Sequence, residues 1–137
     1  MERFRDQKGV AAVEFALILP ILVMLAFGII EFSLLLYDKA VITNASREGA
    51  RAGIVSQSPR VNDSEIIAVV NNYCAAYLIS FKPGSIPGTT TARTGTGFGD
   101  ELTVNVSYAY DFLVLPKFVT TLTGSLNLIA TTVMRME

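Results

Sequence analysis

The chain has no histidine, no tryptophan and a single cysteine, Cys74, and its net charge is −1. One thiol without any histidine leaves neither a Cys-His dyad nor a zinc ligand set. It also cannot close an internal disulfide; between an intermolecular disulfide and a small apolar side chain packed on a helix, the second is the expectation for Cys74. A near-neutral chain with no basic tract gives no electrostatic basis for binding nucleic acid. Gly-x-Ser-x-Gly and phosphate-binding glycine motifs are missing too. The one glycine cluster, Gly95-Thr96-Gly97-Phe98-Gly99, reads as a hairpin loop. The adjacent acids Asp100 and Glu101 stand at a strand entrance, where neighbours point to opposite faces and stay solvated. No catalytic residue, cofactor, metal or small-molecule substrate is therefore expected.

What the chain does have is an apolar run from Gly9 to Tyr37, the densest hydrophobic stretch of a sequence that is 51% hydrophobic overall. Between Val10 and Ile30 the only charged residue is Glu14. A charge inside a membrane helix costs about 2.5 to 3.5 kcal/mol near the bilayer centre and less toward the ends, so a carboxylate here marks a functional position. Either Glu14 finds a partner that neutralises it, or it stays wet at the headgroup boundary. The run is long enough to cross a bilayer, which takes about 20 residues. A secretory signal cut at Ala26-Phe27-Gly28 is the competing reading, but a signal core needs only about 7 to 15 apolar residues, and this one continues to Leu36. Pro20 removes one backbone hydrogen bond and crowds the carbonyl of Ala16, which predicts a kink or local loosening. The positive-inside count is nearly tied, with Arg3, Arg5 and Lys8 before the run and Lys39, Arg47 and Arg51 after it. The density of charge in the short tail, and the ease with which long domains translocate, put the N-terminus inside and the rest outside.

Gly9 followed five positions later by Glu14 and then Phe15 resembles the signature of type IV prepilins. A closer resemblance covers more of the chain. The run Gly9 to Pro20, Tyr37, the stretch Ser46-Arg47-Glu48-Gly49-Ala50-Arg51-Ala52-Gly53 and the C-terminal Thr132 to Glu137 are similar to the TadE-like family of pseudopilins in tight-adherence pilus systems. That resemblance implies processing by a prepilin peptidase between Gly9 and Val10. It also implies assembly through Glu14 and Phe15, with Glu14 meeting the new α-amino group of Val10 on a neighbouring subunit, and other pilin or pseudopilin subunits as partners.

Beyond Tyr37 the helix is expected to continue, now amphipathic. As one helix from Val10 to Ser56 it would extend about 70 Å, more than twice the hydrocarbon thickness of a bilayer. Ser58, which precedes Pro59, marks its end. Ala45, Gly49 and Gly53 recur every fourth residue, a small-residue stripe suited to helix packing against the protein's own sheet or a neighbouring subunit. Arg47, Glu48 and Arg51 are spaced for weak local ion pairs. About 80 residues then remain, enough for a small core that gains from packing on the long helix.

Asn62-Asp63-Ser64-Glu65 is close to a capping box and opens a second helix whose stripe is Ile66, Val69, Val70, Tyr73, Ala76 and Tyr77. Lys82 to Asp100, rich in Gly, Pro and Thr, reads as a surface loop or hairpin. Leu102, Val104, Val106, Tyr108 and Tyr110 alternate with smaller or polar residues, the period of a half-buried strand. Ser125 to Met134 is its best partner, and Phe112 to Leu115 a short strand stopped by Pro116.

The expected fold is α+β and pilin-like: a long N-terminal transmembrane and stalk helix, a second helix and a small antiparallel sheet. The expected division is a cytoplasmic leader over residues 1–9, a transmembrane and assembly helix over 10–37 and an extracytoplasmic domain over 38–137. This describes a single-pass protein of the bacterial inner membrane, a structural pseudopilin or minor pilin and not an enzyme. Two alternatives are a membrane-retained pilus assembly factor and a membrane-tethered binding module that uses the 82–100 loop.

Overall fold

The computed structural model describes residues 3–82, 84–113 and 126–137. It is α+β: helix α1 spans Arg3–Ile54, α2 spans Asp63–Tyr77, and strands β1 (Gly88–Arg93), β2 (Glu101–Tyr110) and β3 (Leu126–Arg135) form an antiparallel sheet in that order. The helix, the second helix and the sheet are those expected from the sequence. α1 stays helical through Pro20. It stops at Ile54, two residues before the expected limit, where the Ile54 carbonyl accepts from the Glu137 amide (3.2 Å) and from the Arg60 guanidinium (3.4 Å). Those donors satisfy a carbonyl that the end of a helix leaves open.

α2 starts with a full capping box. The Asn62 side chain accepts from the Glu65 amide, and the Glu65 carboxylate accepts from the Asn62 amide, both at 2.9 Å. Its buried line is Ile66, Val70 and Cys74. Val69 and Tyr73 flank that line, whereas Ala76 and Tyr77, expected in the stripe, are exposed because the buried row follows the four-residue spacing from Ile66 to Cys74.

β2 is the central strand, and all five of its alternating apolar residues are buried. They face α1 and α2 and form the core together with Ile42, Ile66 and Val70. Each such side chain contributes on the order of 1.5 to 3 kcal/mol by leaving water. β3 lies where expected. Of the two readings of the region 82–100, loop or hairpin, the structure has the hairpin: edge strand β1 is closed onto β2 through residues 94–100. In that hairpin the Asp100 carboxylate accepts from the Gly97 amide at 2.7 Å, and a Cβ on Gly95 would collide with Asp100 Oδ2, so a side chain there would displace the carboxylate from its bond. Phe112 and Leu113 are not in a strand; Val114, Leu115 and Pro116, the rest of the expected short strand and its stop, lie outside the described residues.

The head is laid along α1 in a fixed direction. Leu102, at the start of β2, packs at Gly53, and Tyr110, at its end, reaches Glu31. The head thus clothes α1 from Glu31 to Ile54, reaching back over the last turns of the segment expected to be transmembrane. From Gly9 to Ile30 no residue of the helix is buried.

Candidate functional site

From Gly9 to Ile30 no residue of α1 is buried, and only Gly28 is even partly covered. The most apolar 18-residue stretch has a mean hydropathy of 2.6. Gly9 has open space where a Cβ would stand, Val10 and Phe15 are about 60% exposed, and Glu14 is exposed as well. Among the described residues nothing pairs with Glu14. The predicted processing and assembly residues therefore share one uncovered helix and touch no described part of the head.

The small-residue stripe is placed differently. Ala45 is fully buried, a Cβ on Gly49 would meet Val70 Cγ2 at 2.5 Å, and one on Gly53 would collide with Leu102 Cδ2 and stand 2.6 Å from Ile66 Cδ1. The stripe lets α2 and β2 approach the α1 backbone within the same chain. Nearby, Ser46 Oγ and Thr132 Oγ1 share a 2.7 Å hydrogen bond from stalk to β3, and the Lys39 ammonium donates to the Ile129 carbonyl. On the exposed face, Arg51 and Glu48 form a local ion pair at 2.9 Å.

Two acids on α1 carry structure that the sequence reading passed over. Glu31 and Asp38 are buried and seven residues apart, two helical turns on one face. The Glu31 carboxylate accepts from the Tyr110 hydroxyl at 2.8 Å and from the Leu113 amide at 3.1 Å. Asp38 Oδ1 accepts from the Ile79 amide at 3.1 Å, while Oδ2 has no hydrogen-bond partner among the described residues. Each acid thus holds a backbone N–H of a different head loop. Burial pushes the Asp38 carboxyl above its usual range, opposed in part by the Ile79 bond. Burial, followed by the hydrogen bond to Glu31, raises the Tyr110 phenol well above its usual value. The signal available in the sequence was the interruption itself: an acid at position 31 inside an apolar run, with a second acid two turns later.

Little here is equipped for bond-making chemistry. A hollow of about 340 Å³ between the end of α2 and residues 85–87 is lined by Asn71, Cys74, Ile86 and their neighbours, with no charged side chain. Burial pushes its thiol, Cys74, up to about 11, so the sulfur stays protonated at neutral pH and is a poor nucleophile. Among the described residues no cluster of His, Cys, Asp or Glu could hold a metal ion.

A bare apolar helix of membrane length, continuous with a helix clothed by a small α+β head, points to single-pass membrane anchoring. A family model described as TadE-like protein matches residues 9–51, the bare helix and most of the stalk. That is the family which Gly9 to Pro20 and Ser46 to Gly53 resemble, a structural family associated with tight-adherence pili. Among curated proteins and among solved structures, nothing matches this chain significantly.

Proposed function

We propose that this chain is a structural pseudopilin or minor pilin of a tight-adherence type IV pilus, cut after Gly9 by a prepilin peptidase and assembled through its N-terminal helix. The observation that carries this reading is the contrast along α1, in which no residue from Gly9 to Ile30 is buried while the stalk beyond is packed. An exposed apolar helix needs either lipid or other helices around it. The same helix satisfies both needs in turn, first as a membrane anchor and then in a filament core. Cleavage creates an α-amino group on Val10, and pairing it with Glu14 of a neighbour offsets the cost of carrying that carboxylate into an apolar bundle. Gly9 lies inside a helix, and glycine lowers helix stability by about 1 kcal/mol relative to alanine, which eases local opening for a peptidase. The N-terminus is cytoplasmic and the head extracytoplasmic in this reading.

Intact mass and N-terminal sequencing of protein from membranes and from sheared filaments, in cells with and without the peptidase, test it. A chain starting at Val10 only when the peptidase is present, and found in filaments, is expected. The same start confined to membranes identifies a retained assembly factor instead. A start at Met1 favours a tethered binding module, and a start at Ile29 an ordinary secreted protein. Glu14→Ala is expected to insert normally and to reduce filament assembly; undiminished piliation refutes the pairing.

A further inference from the structure

We propose that the end of the head nearest the bare helix is a lipid-docking surface that seats the head flush on the bilayer, through Phe32, Leu36 and Tyr37 of α1 with Leu113 and Leu126 of the head. The inference rests on α1 spanning a bilayer and goes beyond it by fixing where the span ends. Val10 to Ile30 is 21 residues, which at about 1.5 Å each gives about 31 Å, the thickness of the hydrocarbon core. Glu31 then falls at the lipid edge, where a carboxylate costs less than at the bilayer centre and gains from a partner at that level. The Tyr110 hydroxyl and the Leu113 amide cover it there, so the head must reach down to that level. Leu126 pairs with Tyr110 across the sheet and shares that level.

All five side chains are exposed. Phe32, Leu36 and Tyr37 lie off the face of α1 that buries Glu31 and Asp38. Side chains on a helix lean toward its N-terminus and cover the preceding turn, which here means toward the bilayer. With that lean of about 5 Å, Leu36 and Tyr37 cover the layer just above the hydrocarbon edge, the depth favoured by aromatic residues. Between them, the exposed Ser33 gives its hydroxyl proton to the Ile29 carbonyl at 2.7 Å, so the serine presents no unsatisfied donor to lipid. The patch is continuous with the bare helix, and the occupant that fits that continuity is the lipid interface and not a second copy of the chain.

Because the chain has no tryptophan, single reporters can be placed cleanly. Met24→Trp lies within the span, Leu113→Trp in the docking surface, and Phe98→Trp in the far hairpin. That hairpin is tied by the Gly99 amide to Met136 at the level of Ile54, about 36 Å beyond Ile30 along α1. Each full-length variant is reconstituted in phosphatidylcholine and phosphatidylglycerol vesicles whose acyl chains are brominated, and circular dichroism verifies the fold. Met24→Trp and Leu113→Trp are expected to lose most of their emission to bromine, and Phe98→Trp to keep it. Quenching of Met24→Trp with Leu113→Trp as bright as Phe98→Trp overturns the docking surface and leaves the span intact. A blue shift of Leu113→Trp without bromine quenching, growing with the protein-to-lipid ratio, assigns the patch to a second copy and also overturns it. An unquenched Met24→Trp overturns the spanning helix itself.

Discussion

Tyr110→Phe isolates one atom of the joint between head and stalk. The ring keeps its edge-on contact with Phe112, at 5.4 Å and 87°, so the change removes the hydroxyl and little else. That hydroxyl donates to a buried carboxylate at 2.8 Å, and hydrogen bonds to charged groups are worth about 1.5 to 3 kcal/mol. In a head of this size, about 4 to 8 °C of melting temperature accompanies each kcal/mol, so the expected drop is roughly 6 to 24 °C. Near-UV circular dichroism of the tyrosines, followed on heating the full chain in detergent micelles, reads it directly. A second comparison separates charge from packing. In a Glu31→Gln background the same substitution removes only a neutral hydrogen bond, worth about 0.5 to 1.5 kcal/mol, so the two changes are expected to couple by about 1 kcal/mol. A shift below about 2 °C, which is under about 0.5 kcal/mol, refutes the joint. An equal cost in both backgrounds refutes its charge-assisted character.

Gly49→Leu is expected to cost about 3 kcal/mol or more, because even a Cβ there would stand 2.5 Å from the Val70 side chain; an unchanged monomer melt together with lost assembly assigns the stripe to a neighbouring subunit. Asn62→Ala removes the side-chain half of the capping box and is expected to cost about 1 kcal/mol, measured by the same melt; a loss below about 0.3 kcal/mol shows the box to be idle. Alkaline pH is expected to destabilise the head. Cys74 and Tyr110 both have folded values above their ordinary ones, so their contribution is complete below pH 9; that of Cys74 fades as pH rises through about 11 and that of Tyr110 at higher pH, where the unfolded chain has lost protons that the fold retains. Cys74→Ala is expected to flatten the decline between pH 9 and 11, and an identical profile in that variant removes the thiol from the account. In the native head at pH 8, alkylation of Cys74 by iodoacetamide is expected to be far slower than in denaturant, and equal rates contradict its burial.

Features that declare themselves by local chemistry were legible in the sequence. The alternation from Leu102 to Tyr110 is period two, and each residue that it assigned inward is buried. Asn62 and Glu65 announced α2 because a capping box is made by residues three apart. β1 was hidden for an equally physical reason. Its sequence is Gly-Thr-Thr-Thr-Ala-Arg, so the inward positions Thr89, Thr91 and Arg93 carry no apolar contrast with the outward ones. What makes it a strand is pairing with β2, which lies beyond the hairpin, and not a hydrophobic period of its own.

The two acids of the apolar run show where local reading stops. Glu14 and Glu31 look alike in sequence, a carboxylate with apolar neighbours, and each carries the same cost of desolvation. Their fates are set by residues far along the chain. Glu31 is bonded by Tyr110, 79 positions away, and by the loop that follows β2. Glu14 lies almost five turns earlier, out of reach of a head that clothes α1 only from Glu31 onward. A carboxylate covered within its own fold is free to mark the lower edge of the head. One that the fold leaves bare on an apolar helix must be neutralised by protonation, by water at a membrane surface or by a cation from another molecule. Of the two acids, only Glu14 is therefore available to an assembly partner, and the division of labour between them follows from the length of stalk that the head can cover.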